Sequence, residues 1–148
     1  MKNKILVLSR KVAEGYDWYG RDIAIISVTD PNQPSAKLNY FEDKILRLQF
    51  HDVDKDMKMW TPNGTVRIFT INDSQVKDIV QFVDKYFYNV DEFVIHCEAG
   101  ISRSAGIAAA IAKYIYLDDT EYFKKYIPNR TVHRLVLNEF YKLKETII

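Results

Sequence analysis

The segment His96-Cys97-Glu98-Ala99-Gly100-Ile101-Ser102-Arg103-Ser104 holds the chain's one cysteine and, six positions after it, an arginine. A thiol acts as a nucleophile in its thiolate form. The unperturbed pKa of about 8.5 falls by several units beside a helix N-terminus or a cation, so a thiolate at neutral pH is expected of a cysteine so placed. A guanidinium presents a planar fork of donors that suits two oxygens of a phosphate better than the point charge of lysine. At this spacing the two side chains would offer one tetrahedral anion both a nucleophile and a clamp. Gly100 tolerates backbone conformations that a Cβ resists, which lets so short a loop aim its amides inward.

The flanking residues supply the elements such a loop needs. Phe93-Val94-Ile95 is expected to be a buried strand, and Ser104 to Tyr116, rich in alanine and isoleucine, a helix. Cys97 then stands at a strand-to-helix turn, where successive N–H groups and the helix N-terminus form a site for an anion.

His-Cys, five residues, Arg-Ser is the phosphate-binding signature of cysteine-dependent protein tyrosine phosphatases, and residues 96–104 resemble it at every defining position. The short chain resembles the compact dual-specificity subgroup, which lacks the large inserts of the tyrosine-specific members. The resemblance implies a two-step reaction without metal or cofactor. Cys97 attacks phosphorus to give a cysteinyl-phosphate, which water then hydrolyses. It further implies that Glu98, Ala99, Gly100, Ile101, Ser102 and Arg103 bind the phosphate, that Ser104 supports the departing thiolate, and that His96 orients the loop from behind. The implied partner is a phosphorylated protein or peptide carrying phosphotyrosine, with phosphoserine and phosphothreonine as a wider range. A binding module that captures such a partner without turnover is the alternative from a different class. A phosphoinositide phosphatase fits less well, because no basic residue lies inside the loop between Cys97 and Arg103 and Glu98 adds negative charge. A second anion site built from Lys124, Lys125 and Arg130 would change that balance; a solvated helix end is the plainer expectation for those three. A sulfurtransferase does not account for Arg103 followed by Ser104.

An alkoxide or phenolate leaves poorly unless protonated, so the reaction needs an acid. Three aspartates follow the expected strand Ile45 to Phe50, and in the resembling family the acid lies on a loop at that place. Asp52 is the first choice, Asp54 the alternative and Asp56 a poor third. The interval from Asp52 to Cys97 is longer than in compact relatives by a segment around 58–69, where Asn63-Gly64 predicts a hairpin turn. Trp60 on that hairpin is a candidate substrate contact, though capping the core is the commoner role for such a residue. Asp52, Asp54 and Asp56 imitate the start of a calcium loop, but Met57 and Asn63 stand where that loop requires Gly and Glu. His51 and His133 lack a partner at metal-ligand spacing and are expected to be structural or surface residues.

The remaining elements fall into an alternating rhythm. Ile5 to Leu8, Ile23 to Val28 and Ile45 to Phe50 are expected strands. Helices are expected from Asn72 or Asp73 through Tyr88 and from Thr131 to Lys144. This predicts an α/β fold whose central, mostly parallel sheet of four to five strands is covered by helices on both faces, with the site outside the strand carboxyl ends. The 148 residues, 47% hydrophobic and 28% charged, suit one domain spanning 1–148. Twenty-one basic against 20 acidic residues leave a net charge of +1, which gives no general pull toward nucleic acid or a membrane surface. No segment has the length or hydrophobicity of a secretory signal or a membrane span. One cysteine excludes an internal disulfide, and a cytoplasmic location is expected.

Overall fold

The computed structural model describes residues 3–147. Four strands carry the molecule: β1 (Lys4–Ser9), β2 (Ile23–Thr29), β3 (Ile45–Gln49) and β6 (Glu92–Cys97). They lie in the order β1-β6-β2-β3, and every pair is parallel. β2 is buried along its whole length, as a strand covered on both faces must be. Its side chains alternate between the faces. Ala24, Ile26 and Val28 join one core with Phe93, Ile95, Leu48 and Phe50, while Ile23 and Ile25 join another with Val94 and Ile45.

The first core is closed by α2 (Asp73–Tyr86), α3 (Arg103–Tyr116) and α5 (Arg130–Ile147), through residues such as Val76, Ile79, Ile107, Ile111, Val132 and Phe140. The second face has less helix over it. One short helix, α1 (Arg10–Gly15), shares it with Trp18, Ala36, Leu38 and Tyr40 from the following connection. Trp18 is buried there and donates its indole N–H to the Ala13 carbonyl at 3.0 Å. A further short helix, α4 (Thr120–Lys125), bridges α3 and α5. α1 and α4, of six residues each, are too short to show a helical period in the sequence.

α2 starts as expected at Asn72, whose side chain accepts from the Gln75 amide while the Gln75 side chain accepts from the Asn72 amide. α3 is buried from Arg103 through Ala112, and its small residues let neighbouring backbone approach. At Gly106 a Cβ would stand 2.7 Å from the Asn129 carbonyl oxygen.

The extra segment forms a separate antiparallel pair, β4 (Met57–Thr61) and β5 (Gly64–Ile68). Its turn is Pro62-Asn63 rather than the Asn63-Gly64 expected, because Thr61 pairs with Gly64. Thr61 Oγ1 donates to the Gly64 carbonyl at 2.7 Å and accepts from the Asn63 amide at 3.3 Å, and proline suits the first turn position. The hairpin base is tied to the loop after β3. The amide of His51 donates to the Phe69 carbonyl at 2.7 Å, the Phe69 amide donates to His51 Nδ1 at 2.9 Å, and Thr70 Oγ1 donates to the Val53 carbonyl at 2.9 Å. Trp60 does not cap the core; it is 79% exposed. No helix among the described residues is long and apolar enough to cross a membrane.

Candidate active site

β6 delivers Cys97 to the carboxyl edge of the sheet, between the ends of β1 and β2, and the chain turns through 98–102 into α3. Three of the loop carbonyls are held by their surroundings. Glu98 O accepts from the Arg10 amide at 3.2 Å, Ile101 O from the Ile127 amide at 3.1 Å, and Ser102 O from the Gly106 and Asn129 amides at 2.9 Å each. In a trans peptide the C=O and the following N–H point in opposite directions, so the amides of Ala99, Ser102 and Arg103 are turned the other way, toward the concave side. The Gly100 amide donates to Cys97 Sγ at 3.3 Å.

Gly100 has φ +72°, and a Cβ there would stand 2.5 Å from Leu8 C and Ser9 N. The end of β1 therefore seats the loop through a contact only glycine permits. Glu98 does not leave a bare charge at the mouth, since Arg10 Nη1 binds its carboxylate at 3.2 Å.

Cys97 is buried, with the Ser104 hydroxyl 3.1 Å from its sulfur. His96 is fully buried behind it. Its Nδ1 lies 3.2 Å from the Cys97 carbonyl, which can only accept, so Nδ1 carries the proton and Nε2 accepts from the Ser27 hydroxyl at 2.6 Å. Burial pushes the imidazole pKa below its ordinary value, against the raising effect of the Cys97 carbonyl, and favours the neutral ring. The parallel register sets Ser27 opposite His96 and so brings the hydroxyl to the ring.

Arg103 reaches across the carboxyl ends of two strands. Its Nη1 donates to Asp30 Oδ1 at 2.6 Å, just past β2, and to the Phe50 carbonyl at 2.7 Å, just past β3. Its Nε is buried without a hydrogen-bond partner, the one such side-chain nitrogen or oxygen among the described residues. An orphaned charged donor costs on the order of 1–3 kcal/mol or more, a cost removed when a ligand supplies the acceptor.

Asp52 is drawn to the loop itself. Its Oδ1 accepts from the Ser102 hydroxyl at 2.7 Å and from Asn129 Nδ2 at 2.9 Å. Asn129 also donates to the Val53 carbonyl at 3.3 Å and caps α5 by accepting from the Val132 amide at 3.0 Å. Asp54 lines the adjoining cleft without a side-chain bond to the loop, and Asp56 is committed to the Thr70 amide at 2.9 Å. His51 is held in the hairpin base, and His133 bonds Asp119 at 2.9 Å. Among the described residues no cluster of histidine, cysteine and carboxylate side chains could hold a metal.

The structure thus gathers Cys97, Arg103, Ser104, His96 and Asp52 around one loop, and adds Asp30, Asn129 and Ser27, which the sequence did not single out. Asp30 directly follows β2, and Asn129 directly precedes α5. Their signal was available in one form only: both are polar groups at the edge where a parallel sheet binds ligands.

No protein-family model matches the chain, and no curated protein matches it by sequence. Solved structures do match it by shape. Cydia pomonella PTP-2 phosphatase superposes with a TM-score of 0.64 at 15% identity, over 93% of this chain and 90% of its own. Human DUSP28 gives 0.62 at 12% identity, over 96% and 94%. The human tyrosine phosphatase-like serine/threonine/tyrosine-interacting protein gives 0.60 at 18%, over 95% and 93%. With its four-stranded parallel sheet, the helices against it and the cysteine loop at its carboxyl edge, the chain has the α/β fold of the protein tyrosine and dual-specificity phosphatases.

Proposed function

We propose that this protein is a cysteine-dependent phosphatase that hydrolyses phosphotyrosine monoesters, with phosphoserine and phosphothreonine within its range. The observation that carries the reading is the buried, unpartnered Nε of Arg103 on the loop that also cradles the Cys97 sulfur. A phosphate seated there satisfies that donor and the inward amides of Ala99, Ser102 and Arg103 together.

In the first step the Cys97 thiolate forms a bond to phosphorus as the ester P–O bond breaks on the opposite side, and Asp52 gives its proton to the departing oxygen. The Asp52 oxygen bound by Ser102 and Asn129 is the fixed one, which leaves Oδ2 to carry the proton toward substrate. In the second step Asp52, now a carboxylate, takes a proton from water as the water oxygen attacks phosphorus. The S–P bond breaks and the sulfur leaves as a thiolate, to which the Ser104 hydroxyl donates. Arg103 holds the equatorial oxygens in both steps. His96, neutral and buried, fixes the Cys97 carbonyl and takes no proton from substrate. The reaction uses no cofactor, and a lone catalytic thiol suits a reducing compartment such as the cytoplasm.

Turnover of a phosphotyrosine peptide tests the assignment. Cys97→Ser is expected to abolish it. Asp52→Asn is expected to lower kcat by about 10²–10⁴, with a smaller loss on p-nitrophenyl phosphate, whose leaving group needs little protonation. Asp54→Asn is expected to stay within a few-fold of the unmodified protein. Turnover surviving in Cys97→Ser refutes the covalent route, and a larger loss in Asp54→Asn than in Asp52→Asn moves the acid. A protein that binds the peptide and releases no phosphate is the binding module instead.

A further inference from the structure

We propose that the outer edge of β5 docks an extended segment of the substrate protein, which adds to the hairpin as a third strand and sets an acidic side chain, flanked by apolar ones, beside Arg67. The proposal deepens the phosphatase reading by naming what is held next to the phosphorylated residue, and it rests on that reading only for turnover. β4 and β5 are exposed along almost their whole length and pair only with each other. Two strands alone are marginal in water, and a third strand or a packed face is what stabilises them. Two sets of bonds fix which way the β5 backbone faces. The Gly64 carbonyl accepts from Thr61 on β4, whereas Phe69, five residues on, turns both its amide and its carbonyl to His51 on the other side. Backbone direction alternates along a strand, so Thr65 and Arg67 face the same way as Phe69, away from β4. Their N–H and C=O groups have no partner among the described residues. His51 thus takes the first place of a third strand, and the β5 edge beyond it is unpaired. That line starts one residue from Asp52, which bonds Ser102, so a segment laid along it leads to the cysteine loop.

The side chains define the chemistry of the added strand. The register sets Lys58 opposite Arg67 and Trp60 opposite Thr65 on one face, and Met57 and Met59 opposite Ile68 and Val66 on the other. By the same alternation Lys58 and Arg67 form a non-hydrogen-bonded pair, the kind in which facing side chains stand closest. Like charges so placed repel. Residues 57–68 contain no acid, and neither charge makes an ion pair among the described residues. The Arg67 guanidinium lies over the Phe69 ring, its carbon 5.9 Å from the ring centre, a contact that leaves its donors available. The acids of the preceding loop are engaged elsewhere. Asp56 holds the Thr70 amide, Asp52 holds Ser102 and Asn129, and Asp54 borders the cleft toward α5.

An acidic side chain on the added strand relieves the repulsion between Lys58 and Arg67. Its neighbours in sequence, turned to the other face, extend the apolar row of Met57, Met59, Val66 and Ile68. Main-chain bonds to the edge supply affinity in such an addition, and alternate side chains supply specificity. A second copy of this hairpin would bring more positive charge to the same face, so the pattern selects an acidic partner over self-association.

The test begins without phosphate. The end-blocked peptide Val-Glu-Ile-Glu-Val is titrated into the whole protein, and binding is followed by the backbone amide resonances of Thr65 and Arg67 and by the emission of exposed Trp60, Trp18 being buried. The expected result is saturable binding that weakens at least fivefold when lysine replaces both glutamates. In Arg67→Glu the preference should reverse toward the lysine peptide; that change also removes the like-charge pair, so it does not weaken the hairpin. N-methylation of one alternate set of peptide amides should abolish binding, and of the other set should leave it within twofold. Absence of binding, equal binding of the two peptides, or an unchanged preference in Arg67→Glu overturns the docking site, and equal losses from both methylated sets overturn the added strand. A dimer in sedimentation that Arg67→Glu alters gives the edge to a second copy, and binding to phosphatidylserine vesicles but not to the peptide gives it to a membrane surface; either overturns the proposal. For turnover, phosphotyrosine is placed two to four residues before or after the same segment. In at least one arrangement kcat/KM should exceed that of the lysine version at least fivefold, and the ratio should fall below twofold in Arg67→Glu. Binding with a ratio below twofold in every arrangement overturns the assignment of the segment to the substrate. Binding without any phosphate release removes the phosphatase reading and leaves the docking site, whereas equal turnover of both versions without binding removes the docking site and leaves the phosphatase.

Discussion

Adding one methyl group at Gly100 tests how the cysteine loop is held. In Gly100→Ala the new carbon would lie 2.5 Å from Leu8 C and Ser9 N and 2.7 Å from Leu8 O, all backbone atoms of the sheet edge, where ordinary contact begins at 3.4 Å. Loop and strand must therefore part by about 0.9 Å, and alanine must also hold φ +72°, which costs on the order of 1–2 kcal/mol. Overpacking adds about 1–3 kcal/mol. At about 2–4 °C per kcal/mol for a chain of this size, Tm should fall by roughly 4–20 °C. The movement also draws the Gly100 amide off the Cys97 sulfur, now 3.3 Å away. A displacement near 1 Å at a reacting centre costs about 10²-fold in rate, so kcat/KM on a phosphotyrosine peptide should fall by about that factor at a temperature where circular dichroism shows the variant folded. Gly15→Ala is the internal control, because a Cβ at Gly15 meets nothing within 4 Å, and its Tm and rate should stay close to those of the unmodified protein. Activity within threefold and an unchanged Tm for Gly100→Ala would refute the claim that β1 seats the loop.

Two further perturbations separate positioning from stability. Asn129→Ala removes both the α5 cap and one hold on Asp52, whereas Asn129→Asp keeps an acceptor for the Val132 amide and loses the donor to Asp52. Both should lower kcat about tenfold with little change in KM, but only the alanine should lose the cap's roughly 1 kcal/mol in thermal unfolding, and equal stability losses in the two would contradict this division. His96 gives a pH signature. Burial depresses its folded pKa below the usual 6.5, so the unfolded chain binds a proton that the folded chain refuses. Its contribution is therefore complete above about 6.5 and is lost as pH falls from there toward the folded value, with a slope of up to about 1.4 kcal/mol per pH unit. Urea midpoints between about pH 5 and pH 8 should fall with acid more steeply in the unmodified protein than in His96→Asn, and identical slopes would count against a neutral buried ring.

The parts of this fold that were legible in the sequence are those with a strong period or a loop of fixed composition. The run at 23–28 announces a strand covered on both sides, and β2 is buried throughout. Val76, Ile79, Val80 and Val83 mark the buried face of α2. Residues 96–104 form the loop expected between β6 and α3, with Cys97 and Arg103 at its two ends. What stayed hidden depends on which distant residues share an edge. Asp30 meets Arg103 across 73 positions and Asn129 meets Asp52 across 77, and neither neighbour is implied by anything local. The turn of the hairpin was set by the Thr61 hydroxyl rather than by the more familiar Asn-Gly pair. Asp52 differs from Asp54 in being bound by Ser102 and Asn129, contacts that only the folded chain displays.

The seating of Gly100 on Leu8 and Ser9 also bears on how the molecule acquires its site in time. The loop closes only after the first strand, 91 residues earlier, has docked against β6, and Arg103 is oriented only when the ends of β2 and β3 are already beside it. Contacts of such long sequence separation form late, because the entropy of closing the intervening chain must be overcome first. A nascent or partly folded chain therefore carries its cysteine without the loop around it, and the nine-residue motif cut out as a peptide would lack the contacts that shape the site.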